Sequence, residues 1–434
     1  MSSIIVWDVV LLITLMMIGV PVALTFVAAA LFLIFMGDYG STSFLITSGF
    51  GKTSSMVLLA IPLYILAGAI MTQGGIAVRM LDLADSLLGR FRGGLGIVTV
   101  VTTAVFGAIS GMASSAVAAI GSIMIPRMVE KGYDRGYATA LVSCSAVLAL
   151  LIPPSATMIL YGWVTSTSIT AVFLAPVLPA LLLITLFCFW NYVLTRKMPL
   201  IVEEKQPFKA TAENAFLKAR RAGFGLAMPV IILGFIYGGV TTPTEAAAVA
   251  VVYALPVAFY IYKEMDWGSF YKAVWQAAQV TAVLMLVIFC ATMLARVMTF
   301  EDVPQQILET LLSITENKIL LLLLINLFLM LIGMFMEDVS GILLAAPLLL
   351  PVMNEIGVHP VHFAAIIGTN LGMGLITPPT APILYFGTLI GGVKLPQVIK
   401  PTLVFVFLAY LPVVLLTTFV PELALWLPRM ITGL

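Results

Sequence analysis

Uncharged apolar runs recur along this sequence and constrain its fold more than any other feature. They include the segments Val9 to Gly37, Thr53 to Val78, Gly93 to Pro126, Gly136 to Thr195, Ala273 to Ala295 and Phe363 to Val393. Each is long enough to cross the hydrocarbon core of a bilayer, which takes about 20 helical residues. Hydrophobic residues make up 62% of the 434 positions and charged residues only 9%, a balance that excludes a soluble domain of this size. The sequence therefore predicts an all-α, polytopic membrane protein.

The first run is predicted to be a transmembrane helix of the mature protein. From Val9 to Gly37 it contains 29 uncharged residues. A cleaved signal peptide has a shorter apolar core that is followed by a small-residue cleavage site. The N-terminal segment is therefore expected to cross the membrane once as a single helix.

The run from Gly93 to Pro126 is predicted to be a re-entrant helical hairpin. Its 34 uncharged residues would form a helix about 50 Å long, which is more than a bilayer core requires. Basic residues flank both ends, at Arg92 and Arg127, and basic residues in short loops stay cytoplasmic. The segment must therefore return to the side it left, and its tip is expected at Gly107, Ser110 and Gly111, where small and polar residues interrupt the run.

A second candidate hairpin extends over residues 318–354, with Glu337 and Asp338 near its middle. Its flanks are acidic, with Lys318 opposed by Glu301, Asp302, Glu309, Glu316 and Glu355. The positive-inside rule then predicts that this hairpin enters from the opposite, extracytoplasmic face.

An internal repeat links the two halves of the chain. A constant shift of 225 residues places the segment Gly121 to Gly162 on the segment Ala346 to Gly387, with ten of 42 positions identical and two Pro-Pro pairs in register. We predict a first inverted repeat over residues 1–221, with a broken helix at about 137–162, and a second over residues 222–434, with a broken helix at about 361–390. Repeats of opposite orientation are typical of transporters whose binding site lies near the bilayer midplane.

The Pro-Pro pairs are predicted to release backbone oxygens at that midplane. Proline has no N–H, so Pro153 and Pro154 leave the carbonyls of Ala149 and Leu150 without their helical donors. By the same argument Pro378 and Pro379 release the carbonyls of Gly374 and Leu375. An unpaired carbonyl in lipid costs several kcal/mol, so such breaks persist only where protein, water or an ion supplies a partner. Carbonyl and hydroxyl oxygens together form a cage that suits Na⁺.

The candidate site residues follow from these breaks and hairpin tips. The predicted sodium ligands of the first repeat are Ser110, Gly111, Ser114, Ser115, Ala149, Ile152 and Pro153, and those of the second are Asp338, Ser340, Gly374, Thr377 and Pro378. Candidate substrate contacts are Ser143, Ser145, Ser155, Asn370 and Thr380. The alternative is that the prolines only kink two helices and the hydroxyls serve helix packing. For Asp338 the alternative is a hydrated charge at the mouth of the hairpin.

Other conspicuous residues are given structural interpretations. Thr242 and Glu245 form a T-x-x-E pattern with proline at the first helical position, which predicts a capping box. Arg296 ends an uncharged helix and could attract an anion, but we expect it to snorkel to the membrane interface. His359 and His362 match no metal-ligand pattern.

Several motifs together resemble those of one transporter family. The sequences AISG (Ala108 to Gly111), AAIGSIMIP (Ala118 to Pro126), LIPPS (Leu151 to Ser155), GGVTTPTEAAAVAVVYAL (Gly238 to Leu255) and GLITPP (Gly374 to Pro379) look like the large M subunit of tripartite ATP-independent periplasmic (TRAP) transporters. The resemblance covers nearly the whole chain and implies a protein of the bacterial inner membrane. It also implies an elevator-type carrier, with scaffold and transport domains each drawn from both repeats and with a sodium gradient as the driving force.

The same resemblance implies partners and a substrate class. A small four-helix membrane subunit is expected as a separate chain, since no extra helices precede the first span, and a soluble periplasmic protein is expected to deliver the substrate. The substrate is expected to be an organic acid such as a C4-dicarboxylate, sialic acid or another sugar acid. No organic cofactor is expected, and Na⁺ is the expected coupling ion.

Three other functional classes compete with this interpretation. A stand-alone sodium/dicarboxylate symporter would need no binding protein. A membrane-embedded enzyme would need an intramembrane catalytic set, and the sequence contains neither an HExxH motif nor paired intramembrane aspartates. A passive channel would need a continuous polar lining rather than two broken helices. The net charge of +1 argues against a nucleic-acid partner.

Overall fold

The computed structural model describes residues 3–37, 43–89, 91–201 and 208–434. All regular secondary structure in these ranges is helical. Residues 202–207, between the two halves, lie outside the described part. Nine helical segments within these ranges are long and apolar enough to cross a membrane. The predicted all-α polytopic membrane fold is therefore confirmed.

The first half contains twelve helices. They are α1 (Ser3–Met17), α2 (Val22–Gly37), α3 (Ser43–Thr53), α4 (Ala60–Gln73), α5 (Ile76–Leu88), α6 (Gly94–Ser110), α7 (Ala113–Glu130), α8 (Arg135–Ala146), α9 (Leu148–Leu151), α10 (Ala156–Thr165), α11 (Ile169–Leu174) and α12 (Val177–Thr195).

The second half contains eleven more. They are α13 (Phe208–Tyr237), α14 (Pro243–Pro256), α15 (Trp267–Phe300), α16 (Val303–Ile314), α17 (Lys318–Phe335), α18 (Asp338–Glu355), α19 (Pro360–Gly374), α20 (Pro382–Gly391), α21 (Leu395–Phe405), α22 (Leu411–Phe419) and α23 (Glu422–Thr432). Short π-helical segments follow α14 and α21, at Val257–Ile261 and Val406–Tyr410.

The N-terminal apolar run is two helices, so the prediction of a single transmembrane helix was wrong. Helix α1 ends at Met17 and α2 begins at Val22, and the two helices pack against each other. Gly19 has φ +88°, in the left-handed region that glycine adopts without a steric penalty. Pro21 has no N–H to continue the helical ladder. These two residues explain why an unbroken apolar run does not form an unbroken helix.

The hairpins and broken helices have corresponding bounds in the two halves. A shift of 225 residues places α7 (Ala113–Glu130) on α18 (Asp338–Glu355). Helices α6 and α7 form one hairpin with its turn at Gly111 and Met112, and α17 and α18 form another with its turn at Met336 and Glu337. The two Pro-Pro pairs separate α9 from α10 and α19 from α20, and both Pro-Pro peptide bonds are cis. The opposite orientation of the two halves in the membrane stays a prediction.

The two halves interlock through their broken helices. Helix α10, which follows the first break, packs on α18 of the second hairpin. Helix α20, which follows the second break, packs on α7 of the first hairpin. A separate group of helices, α2, α3, α4, α14 and α15, pack on one another beside these elements. The hairpins and breaks thereby form one contiguous unit that contacts a second group of helices.

The start of α14 confirms a local prediction. The Thr242 side chain accepts a hydrogen bond from the N–H of Glu245, and the Glu245 carboxylate accepts one from the N–H of Thr242 at 2.8 Å. This reciprocal pair is the predicted capping box. Glu245 therefore has a structural role at a helix N-terminus.

Candidate functional site

The first Pro-Pro pair interrupts a buried helix and leaves backbone oxygens without donors. Helix α9 ends at Leu151 and the chain is extended at Ile152, where φ is −94° and ψ is 121°. The N–H of Ile152 donates to the carbonyl of Leu148, but no described residue donates to the carbonyls of Ala149 and Leu150. The sequence argument predicted these two free carbonyls. Both residues are fully buried, so their oxygens need a partner from outside the chain.

The second Pro-Pro pair differs, and the prediction of free carbonyls at Gly374 and Leu375 was wrong. The N–H of Thr377 donates to the carbonyl of Gly374 at 2.9 Å, because the chain tightens to a 3₁₀-like turn before the prolines. The carbonyl of Leu375 accepts a hydrogen bond from the N–H of Ile383, which lies beyond the break. Each carbonyl retains a second lone pair for a cation. The two breaks are therefore similar in position but not in hydrogen bonding.

The first hairpin contacts the first break through its glycines. A Cβ atom added at Gly107 would lie 2.7 Å from the Cα of Ala149, so α6 approaches the backbone just before the break. At the hairpin turn Gly111 has φ +66°, and an added Cβ would lie 3.1 Å from the carbonyl oxygen of Pro154. The hairpin tip and the Pro-Pro segment, predicted separately from sequence, are thus in contact.

The second hairpin makes an equally close contact with the second break. A Cβ atom at Gly374 would lie 2.6 Å from the Cα of Gly333 and 2.6 Å from the carbonyl oxygen of Met330. Conversely, a Cβ atom at Gly333 would lie 2.7 Å from the carbonyl oxygen of Leu371. Real Cβ atoms are not found at such distances from backbone atoms, so both positions require glycine. Helix α17 therefore approaches α19 backbone to backbone immediately before the Pro-Pro pair.

Asp338 connects the two repeats. It is the first residue of α18, is 7% exposed, and its Oδ2 accepts a hydrogen bond from the hydroxyl of Thr157 at 3.0 Å. Thr157 belongs to α10, directly after the first break. The alternative interpretation, a hydrated charge at the mouth of the hairpin, does not match this burial. A buried carboxylate with one neutral donor is strongly attractive to a cation.

The remaining candidate side chains, which carry hydroxyl or amide oxygens, fall into two groups. Some donate their hydroxyl hydrogen to a backbone carbonyl close by in the chain, so that only their oxygen lone pairs remain available: Ser143 to Thr139, Ser145 to Leu141, Ser340 to Glu337 and Thr377 to Met373. The other group contains buried oxygens that have no hydrogen-bond partner among the described residues: Ser155 Oγ, Thr380 Oγ1 and Asn370 Oδ1. Members of the second group are the stronger candidates for contact with an ion or substrate.

Two of the predicted hairpin serines face the neighbouring helices. Ser110 and Ser115 line a small cavity of about 80 Å³ together with Thr72 on α4 and Gln276 on α15. Ser114 is partly buried on α7. A Cβ atom at Gly68 of α4 would lie 3.0 Å from the Cα of Ser110, so the hairpin tip also packs closely on this second group of helices.

Sequence reasoning missed several residues of this region. One is Asn326, whose Oδ1 accepts a hydrogen bond from Asn370 at 3.0 Å and whose amide donates to Thr418 Oγ1 at 2.9 Å. These contacts fix the amide of Asn370 in the buried core. Thr157 was also missed, because nothing in its local sequence indicates a partner 181 residues away. Gly333 could have been predicted from the sequence, since a glycine within the apolar helix α17 indicates that another helix backbone lies close to it.

On the expectation of sodium-driven uptake, Ser155→Ala should raise the Na⁺ concentration for half-maximal uptake by about tenfold, because a contact between this unpartnered oxygen and an ion would contribute about 1.5–3 kcal/mol. Ser143→Ala is the matched control, since its hydroxyl is bonded to its own helix and packs against Gly387. The measurement is uptake as a function of Na⁺ concentration for both variants. Equal values for the two serine variants would remove Ser155 from the site.

Comparison with known proteins identifies the family. The profile described as "Tripartite ATP-independent periplasmic transporter, DctM component" matches residues 9–423. The C4-dicarboxylate TRAP transporter large permease protein DctM of Vibrio cholerae is 35% identical, over 98% of this chain and 97% of that protein. The sialic acid TRAP transporter large permease protein SiaM of the same organism is 31% identical, over 96% of each.

Two further matches differ in length or in sequence. The isethionate TRAP transporter permease protein DctMQ of Oleidesulfovibrio alaskensis is 37% identical over 95% of this chain, which spans 64% of that protein. The YdaH transporter of Alcanivorax borkumensis has a similar fold, with a TM-score of 0.60 over 86% of each chain at 16% identity. The resemblance found in the motifs is confirmed: the chain belongs to the DctM family of tripartite ATP-independent periplasmic transporters, as a multi-pass protein of the bacterial inner membrane.

Proposed function

We propose that this chain is the sodium-coupled carrier subunit of a TRAP transporter that takes up an organic acid. The observation that supports the proposal best is the pairing of each Pro-Pro break with a hairpin of its own half, through Gly107 and Ala149 in one half and through Gly333 and Gly374 in the other. Two helices broken at corresponding places and closed by hairpins form a midplane site typical of secondary transporters.

The donor groups at the breaks fit Na⁺ as a transported ion. In the first half the buried carbonyls of Ala149 and Leu150 and the hydroxyl of Ser155 have no hydrogen-bond partner among the described residues. In the second half the carboxylate of Asp338 and the hydroxyl of Thr380 supply oxygen atoms. Hard oxygen ligands of this kind suit a hard cation, whereas thiolate or imidazole clusters would suit transition metals.

The packing supports an elevator-type movement. The hairpins and broken helices form one unit, which we propose as the transport domain, and the group containing α4, α14 and α15 is proposed as the scaffold. The acidic flanks of the second hairpin and the basic flanks of the first support opposite orientations of the two repeats. The site would then be exposed alternately to each side as the transport domain moves.

The substrate class and partners are proposed from the relatives. Their names specify a C4-dicarboxylate, sialic acid and isethionate, all of which are organic acids. We propose a C4-dicarboxylate, sialic acid or another sugar acid as the substrate of this chain. A small four-helix membrane subunit as a separate chain and a periplasmic binding protein complete the proposed complex.

Uptake into proteoliposomes tests the proposal. The chain is reconstituted with a candidate small subunit and a candidate binding protein, and radiolabelled organic acids are supplied with an inward Na⁺ gradient. Accumulation is expected only when Na⁺ and the binding protein are both present. Accumulation that is unchanged when K⁺ replaces Na⁺ would refute sodium coupling. Accumulation without the binding protein would instead identify a stand-alone symporter.

A further inference from the structure

A large cavity lies outside the breaks, between the two groups of helices. Its volume is about 660 Å³, and its walls are formed by α3 and α15 on one side and by α10 and α18 on the other. Cavities that bind small molecules are typically about 300–1,000 Å³. The cavity is therefore large enough for a substrate of the proposed class.

Two cations line this cavity from the side of the proposed scaffold. Lys52 lies near the end of α3, and Arg296 lies on α15, where its guanidinium is 4.8 Å from the centre of the Phe300 ring. Neither cation forms an ion pair with any residue in the described ranges, and no carboxylate of those ranges lines the cavity. Both side chains are exposed. An uncompensated pair of positive charges beside low-dielectric walls attracts anions.

The cavity also contains neutral groups suited to an organic acid. Thr292 and Thr299 donate their hydroxyl hydrogens to the carbonyls of Ile288 and Ala295, so their oxygens are left as acceptors for substrate hydroxyls. Ser48 adds a third hydroxyl, and Trp163 supplies an aromatic surface. Charged and polar groups thus lie together on an otherwise apolar wall.

The cavity is adjacent to the proposed ion site. Its walls on α10 and α18 include Trp163 and Leu343, and the same two helices are joined by the hydrogen bond from Thr157 to Asp338. Leu343 is five residues after Asp338 in α18, about 7.5 Å along the helix axis. Trp163 lies in the last turn of α10. Because the broken helix begins at the basic residue Arg135, the positive-inside rule predicts that this far end is extracytoplasmic.

We propose that this cavity is the extracytoplasmic entry site for the substrate, where Arg296 and Lys52 bind its carboxylate before it reaches the broken helices. The assignment rests on the proposed organic-acid transport and adds the residues that recognise the negative charge. Arginine pairs with a carboxylate through two parallel hydrogen bonds, and lysine contributes a mobile point charge. This replaces the expectation that Arg296 only snorkels to the membrane interface, because its side chain lines a cavity shared with Lys52.

The positive potential can be measured without any transport. Thr299→Cys places a thiol on the cavity wall, in a background where Cys144, Cys188 and Cys290 are replaced by alanine. A sulfonate-bearing methanethiosulfonate is expected to react about tenfold faster than a trimethylammonium-bearing one of similar size, from roughly 1.4 kcal/mol of attraction. Adding Arg296→Gln or Lys52→Gln should remove most of this preference. Lys272→Gln, which removes a cation from the opposite end of α15, should leave the preference unchanged.

Uptake kinetics then test the role in substrate binding. Arg296→Gln is expected to raise the KM for the acid at least about tenfold while the Na⁺ dependence is retained, and Arg296→Lys should recover part of the loss. Equal reaction rates for the two reagents would overturn the proposal, even if no substrate were transported. A clear anion preference with unchanged KM in Arg296→Gln and Lys52→Gln would also overturn it, while leaving sodium-coupled transport intact.

Discussion

Gly374→Ala is expected to reduce uptake by about ten- to hundredfold. The added methyl group would lie 2.6 Å from the Cα of Gly333 and from the carbonyl oxygen of Met330, and both are backbone atoms that cannot move aside alone. Overpacking of this kind costs about 1–3 kcal/mol, and each 1.4 kcal/mol is a factor of ten in the population of the close-packed state. The second hairpin would therefore no longer close on the second break.

The control for this variant is Gly234→Ala on α13, where an added Cβ meets nothing within 4 Å. Both proteins are compared for expression, thermal stability and Na⁺-driven uptake in the same vesicles. We expect full activity for Gly234→Ala and a selective loss of uptake for Gly374→Ala. Wild-type uptake by Gly374→Ala would show that close contact between hairpin and break is not needed.

Asp338→Asn is expected to raise the Na⁺ concentration for half-maximal uptake by at least about tenfold, since interactions with a charged group contribute about 1.5–3 kcal/mol. The amide has nearly the same shape as the carboxylate and can still accept the hydrogen bond from Thr157, so the fold is expected to remain intact. The charge alone is removed from a buried position at the tip of the second hairpin.

Two further variants separate charge from position at this tip. Glu337→Gln removes the neighbouring carboxylate, whose side chain is exposed, and is expected to leave the Na⁺ dependence nearly unchanged. Thr157→Val keeps the charge of Asp338 but removes its hydrogen-bond donor, so an intermediate effect is expected. If Glu337→Gln and Asp338→Asn behaved alike, the buried carboxylate would have no special part in ion binding.

The elements of this fold were largely predictable because charge and proline positions mark them. Basic residues at Arg92 and Arg127 around an over-long apolar run predicted the first hairpin, which is observed as α6 and α7. The Pro-Pro pairs predicted both helix breaks, because the missing N–H groups are a property of the sequence itself. The T-x-x-E pattern at Thr242 predicted a capping box for the same local reason.

Features that depend on tertiary contacts were not predictable. The carbonyl of Leu375 is satisfied by Ile383 across the break, and counting helical hydrogen bonds alone could not show this. Thr157 and Asp338 meet only because α10 packs on α18. The packing of α3 on α15 brings Lys52 and Arg296 to one cavity from helices far apart in sequence. The run from Val9 to Gly37 is uncharged throughout, so its length did not indicate the turn at Gly19 and Pro21 that divides it into two helices.

Substrate-driven sodium entry is the most direct test of the central claim, that the hairpins and Pro-Pro breaks couple Na⁺ to organic-acid transport. Vesicles containing the whole complex are placed in equal Na⁺ on both sides, with radiolabelled Na⁺ outside, and an inward gradient of the acid is applied with its binding protein. The account predicts that labelled Na⁺ enters with the acid in a fixed ratio, and that Asp338→Asn reduces both fluxes together. Entry of the acid with no accompanying Na⁺ would contradict it.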